Sequence, residues 1–252
     1  MLLHELPGLN AATIEWATSL AHHYTVYVPL LFGSRNQDNA GLGLLAYVFN
    51  GEWWERDELT GSRQITKWLQ HVVKDIEQAH PEQKIGIIGM CLTGALPLAL
   101  LDNDSVHAVA LAQPTLPLPD WTEEDTFDLG LSLDEWDSVL TRIDSDEDFY
   151  VYGVRFQYDG IANREKHIRM NEVFNRIRPG SFYDREICFN EYKAAGLEKN
   201  AHSTLIREWK KEDRHPTDIR RREITSFLLN PGFWGSEDYT PANCDQQRSH
   251  TE

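Results

Sequence analysis

Apolar residues recur along this chain at two spacings, and the two alternate. Residues 63–79 carry Ile65, Leu69, Val72, Val73 and Ile76, the stripe of an amphipathic helix. Residues 84–89 then form a short apolar run with no polar interruption, the mark of a buried strand. The same alternation holds on either side. Residues 1–4 read as a short strand. Asn10 is placed to cap a helix running to about residue 22, with Ile14, Ala17, Leu20 and Ala21 inward. Residues 24–29, 107–113, 149–157 and 185–190 read as strands. Residues 133–143, 163–178, 203–211 and 218–229 read as helices.

Strands that alternate with helices predict an α/β fold, a three-layer α/β/α sandwich around a mostly parallel sheet. No repeat or linker divides the chain, so one domain over residues 1–235 is expected, with a loose polar tail at 236–252. Two stretches break the pattern. Residues 30–62 form a long, glycine-rich connection that includes Trp53 and Trp54. Residues 114–148 are proline-rich and then strongly acidic, the acidic stretch running over 119–148. Both are candidate walls or lids of a pocket, although core or exposed aromatics are the plainer reading of the tryptophans.

Composition narrows the partners. The 252 residues carry a formal net charge of −16, a surface that repels nucleic-acid phosphates and anionic lipid. No apolar stretch reaches the length of a membrane span, and the N-terminus lacks the pattern of a signal peptide. Cys91, Cys188 and Cys244 do not make a disulfide framework. A cytoplasmic protein with reduced thiols is therefore expected. No His/Cys/Asp cluster has ligand spacing, so neither metal nor cofactor is expected.

The chemistry is concentrated where the apolar run at 84–89 ends. Gly89-Met90-Cys91-Leu92-Thr93-Gly94 lies between that strand and an Ala/Leu-rich run expected to be helical to about residue 101. This is the layout of a nucleophile elbow, in which small neighbours let strand and helix approach closely. A helix N-terminus behind Cys91 would favour the thiolate. Such a thiol needs a base, and the base an orienting acid. Asp159 follows the strand at 149–157, and His202 lies in the loop after the last strand. As isolated residues they would be an ordinary turn aspartate and a solvated or capping histidine. His167, expected on a helix surface, and His215, expected in a solvated charged stretch, are competing bases.

With these residues in place the chain resembles the dienelactone hydrolase family of α/β-hydrolases. The likeness rests on His4-Glu5-Leu6-Pro7-Gly8-Leu9-Asn10, on Gly86 through Gly94, on Val154-Arg155-Phe156 through Asp159, and on Ala201-His202-Ser203. It implies Cys91 as nucleophile, His202 as base, Asp159 as orienter, and an oxyanion hole from the amides of Leu6 and Leu92. Glu5 would sit beside the thiol, where without the family likeness it would be a solvated loop carboxylate. The chain opens on what resembles the family's third strand, so the first two are expected to be missing, and three readings stay open: a smaller sheet, a misassigned start, or a homodimer that covers the exposed edge. Thr93 stands where the family often has glycine and is expected to narrow the pocket. Arg35 and Arg207 are the nearest candidates for binding a substrate carboxylate, against a plain reading as surface arginines. The expected activity is hydrolysis of small esters or lactones through a thioester. The alternatives are a thioesterase on the same fold and a non-catalytic binding protein.

Overall fold

The computed structural model describes residues 1–36, 38–49, 51, 55–115, 129–232 and 244. Trp53, Trp54, the first third of the 119–148 stretch and nearly all of the tail lie outside the described residues. The core is a four-stranded, all-parallel sheet in sequential order: β1 (Ile85–Met90), β2 (Val106–Ala112), β3 (Tyr150–Phe156) and β4 (Phe182–Ile187). Among the described residues the helices are α1 (Ala11–Leu20), α2 (Ala40–Val48), α3 (Gln64–Ala79), α4 (Leu133–Ser145), α5 (Arg164–Ile177), α6 (Phe189–Ala194) and α7 (Pro216–Leu229).

Helices cover both faces of the sheet because the strand side chains alternate. Val109, Leu111 and Val151 pack with Leu69 and Val73 of α3, Val139 of α4 and Phe174 of α5. Ala108, Ala110, Tyr152 and Val154 face the other way, onto Trp16 of α1 and Ile224 and Phe227 of α7. The cap expected at Asn10 also holds, and a second appears at α4. Asn10 Oδ1 accepts the Thr13 amide at 2.9 Å, and Ser132 and Glu135 close a capping box at α4.

Several expectations are corrected. Residues 1–4 and 24–29 form no strand and make only isolated pairings: Leu2 bridges Ile88 of β1, and the Leu2 amide donates to Tyr27 O at 2.8 Å. The run after Cys91 is not an α-helix. It forms two 3-10 turns, Cys91–Thr93 and Leu96–Leu100, because Pro97 has no N–H to continue a helical ladder. A helix dipole behind the thiol is therefore absent. Residues 203–211 form turns, because side chains take the groups a helix would use. Ser203 Oγ accepts the Arg207 amide at 2.9 Å, and Arg221 Nε donates to Leu205 O at 2.6 Å. The last strand begins three residues earlier than expected and carries Asp184, Arg185 and Glu186 in its interior. Arg185 is buried there between the rings of Tyr152 and Tyr183. The short α6 was not legible, its N-cap being a cysteine rather than Ser, Thr, Asp or Asn.

The cysteines also depart from expectation. Cys188 and Cys244 form a disulfide, leaving Cys91 as the free thiol. Their separation of 56 residues along the chain hid a pair whose Cα atoms lie 5.3 Å apart. The inference of a reducing compartment from cysteine usage loses its basis. Among the described residues no helix is long and apolar enough to cross a membrane.

Candidate active site

A parallel sheet gathers its strand C-termini at one rim, and the three predicted residues meet there. Cys91 follows β1 directly and is buried, with φ +53°. That left-handed turn points the side chain away from the strand path. Its carbonyl is fixed by the amides of Gly94 (2.9 Å) and Thr115 (3.0 Å). The flanking glycines are required by space: a Cβ on Gly89 would lie 2.7 Å from Pro97 Cδ, and one on Gly94 2.5 Å from Pro114 Cα. Thr93 does not narrow the pocket. Its hydroxyl is buried, accepts the Met90 amide at 3.0 Å and donates to backbone carbonyls, including Leu3 O at 3.2 Å. It ties the elbow to the chain's first segment.

Cys91 Sγ lies 3.1 Å from His202 Nε2, and His202 Nδ1 lies 2.7 Å from Asp159 Oδ2. Asp159 Oδ1 accepts the amides of Ile161 (2.8 Å) and Ala162 (3.0 Å), which sets the carboxylate's angle. Burial pulls the His202 imidazole toward neutrality. The hydrogen bonds and charges of Asp159 and Cys91 outweigh it and push the pKa up to about 10. An imidazole so placed can take a thiol proton and keep it. Thr115 Oγ1 is also near the sulfur, at 3.7 Å.

Glu5 is buried rather than solvated. Oε2 accepts from Gln113 Nε2 at 3.0 Å and Oε1 from the Ser203 hydroxyl. Burial raises its pKa, against those two donors and the charge of His202. The amides of Leu6 and Leu92 have no acceptor among the described residues, and both residues line the hollow that contains Cys91. That hollow is about 1130 Å³. Leu6, Pro7, Leu92, Ile161 and Ile206 supply apolar wall, and Arg164, Lys166 and Arg207 are its basic lining.

Arg207 thus borders the site, mostly exposed and paired with Glu208 at 2.8 Å. Arg35 does not; it lines a separate groove with Leu9 and Ile14. Neither competing histidine reaches the sulfur. His167 is buried, not on the surface, with Nε2 2.8 Å from Asp184 Oδ1. His215 is buried too, with Nδ1 2.7 Å from Thr217 Oγ1. A second hollow, about 670 Å³ around Tyr27, His80 and His107, holds none of these groups.

Two supports were missed in the sequence. Arg155, wholly inside β3, donates to Gln157 O (3.2 Å) and Ala162 O (3.0 Å) and pairs with Glu186 at 2.5 Å. It braces the loop that carries Asp159. A charged residue in an otherwise apolar strand was its available signal. Arg221 lies 3.7 Å from the Trp209 ring centroid and 4.9 Å from that of Trp16, and its bond to Leu205 O anchors the histidine loop. Among the described residues no group of three or more His, Cys, Asp or Glu could hold a metal ion. No family model matches the chain, and no curated protein sequence matches it.

Proposed function

We propose that this chain is a cysteine hydrolase of small esters or lactones, on an α/β-hydrolase fold resembling the dienelactone hydrolase family. The observation that carries this reading is the relay from Cys91 Sγ through the His202 ring to Asp159 Oδ2, at 3.1 and 2.7 Å. His202 takes the thiol proton, and the thiolate attacks the ester carbonyl. The developing oxyanion is met by the amides of Leu92 and Leu6, which have no acceptor among the described residues. The imidazolium returns its proton to the departing alkoxide, leaving a thioester on Cys91. Water then gives a proton to His202 and attacks the thioester. Collapse releases the carboxylic acid and restores the thiol, so one water is consumed for each ester.

The test is a panel of short esters, lactones and thioesters with wild type and Cys91→Ala. Ester or lactone turnover that disappears in Cys91→Ala supports the reading. Preference for thioesters moves it to a thioesterase, and no Cys91-dependent turnover on any substrate ends it.

A further inference from the structure

Gln113 is buried, does not line the hollow, and is absent from the relay. It nonetheless holds φ +36°, so it and Cys91 are non-glycine residues held left-handed at the ends of neighbouring strands. Its amide N–H still donates to Val154 O at 2.6 Å, while the turn sends its side chain between two loops. The Thr204 backbone N–H, which can only donate, meets Gln113 Oε1 at 3.3 Å, and the Thr204 hydroxyl meets the same oxygen. That fixes the orientation of the amide. Nε2 must face Glu5, where it donates to Oε2 at 3.0 Å. The other Glu5 oxygen accepts from Ser203, whose own oxygen is occupied by the Arg207 amide. Glu5 immediately precedes Leu6, and Ser203 and Thr204 immediately follow His202. One side-chain amide therefore spans the loop that carries the Leu6 amide and the loop that carries the imidazole.

We propose that Gln113 is a positioning residue that, through its N–H donated to Glu5, holds the Leu6 amide aimed at the carbonyl oxygen of an ester bound at Cys91. The inference rests on the hydrolase reading and deepens it. The tie needs a hydrogen donated toward a buried carboxylate. His202, Arg207 and Glu208 are the charged or titratable groups that act on Glu5 or feel its charge.

Gln113→Glu tests this, because it keeps an oxygen for Thr204 and sets a second carboxyl against Glu5. Two carboxyls so close share one proton, which replaces the lost N–H. The ratio of variant to wild-type kcat should be near one at pH ~5. It should fall about 100-fold by pH ~9, as the shared proton leaves and the aim of one oxyanion donor is lost. KM should change little. Alkylation of Cys91 by iodoacetamide needs no oxyanion donor and should stay within about threefold of wild type throughout. Gln113→Leu, with no donor at any pH, should lose kcat at both ends of the range and retain alkylation. A kcat ratio near one at every pH overturns the role. So does a Gln113→Leu protein in which alkylation slows as much as hydrolysis, since that marks general loosening. The hydrolase reading is judged separately. Wild-type turnover that persists in Cys91→Ala ends both claims, whereas Cys91-dependent turnover with a flat Gln113→Glu ratio ends only the positioning role.

Discussion

Replacing Asp159 with asparagine keeps the shape of the side chain and reverses the sense of one hydrogen bond. The amides of Ile161 and Ala162 still need an acceptor, so the asparagine oxygen takes the place of Oδ1. Its NH₂ then faces His202 Nδ1, which must accept. The ring proton moves to Nε2, against the sulfur that should be losing its own. The size of the effect follows from the imidazole. His202 stands near 10 rather than 6.5, a gap worth about 5 kcal/mol at ~1.4 kcal/mol for each tenfold change. Asp159 and Cys91 produce that elevation against burial. Asp159 is foremost among the groups that raise it, so its loss weakens the ring's hold on the proton. The wrong tautomer adds to this, so kcat/KM should fall by roughly 10²- to 10⁴-fold. Ester hydrolysis and iodoacetamide inactivation of Cys91 should both slow, with unfolding followed in parallel to exclude collapse of the site. An Asp159→Asn protein within about threefold of wild type in both assays would refute the relay.

Gly94→Ala should lower stability by about 1–3 kcal/mol in urea unfolding, because the added Cβ would meet Pro114 backbone rather than a side chain that can swing away. His202 should couple stability to pH. A group whose pKa is raised on folding contributes fully below its unfolded value near 6.5, and that contribution fades as pH climbs through about 10. Wild type should therefore lose more stability between pH 6.5 and 10 than His202→Gln, and equal slopes would contradict the raised value. In Cys91→Ala, which removes one of the raising partners, NMR should find the His202 ring titrating at lower pH than in wild type. The denatured chain should show one reactive thiol before reduction and three after it, and three at the outset would rule out the Cys188–Cys244 bond.

What could be read from the sequence was whatever depends on neighbours along the chain. The stripe at 63–79 specified α3, the apolar run at 84–89 specified β1, and Asn10 marked the start of α1 within a residue. The small residues at 89 and 94 marked the elbow, because a tight turn must tolerate close backbone approach whatever the rest of the fold does. Even the order Cys91, Asp159, His202 was accessible, since parallel strands bring their C-terminal ends to one rim.

The misplaced features share a different cause. Tertiary partners reached in and displaced local preference. Arg221, 16 residues beyond Leu205, takes the carbonyl a helix at 203–211 would have used. The aromatic rings around Arg185 let a charged segment serve as strand β4. His167 and His215 look solvated by their neighbours in sequence, yet are buried by groups brought from other elements or folded back on them.

By itself, then, the sequence determined the alternation of helix and strand, the bend that lifts a sulfur, and the chain order of Cys91, Asp159 and His202, because each follows from short-range sterics and periodicity. Only the tertiary structure decided that Glu5 is buried on Gln113 and Ser203, that Arg155 braces the acid loop, and that Cys188 meets Cys244. Those contacts join residues tens to hundreds of positions apart or depend on the folded path of a loop. Their energy comes from burial and from hydrogen bonds that exist only once the layers have closed, and no local pattern encodes which partner will be there.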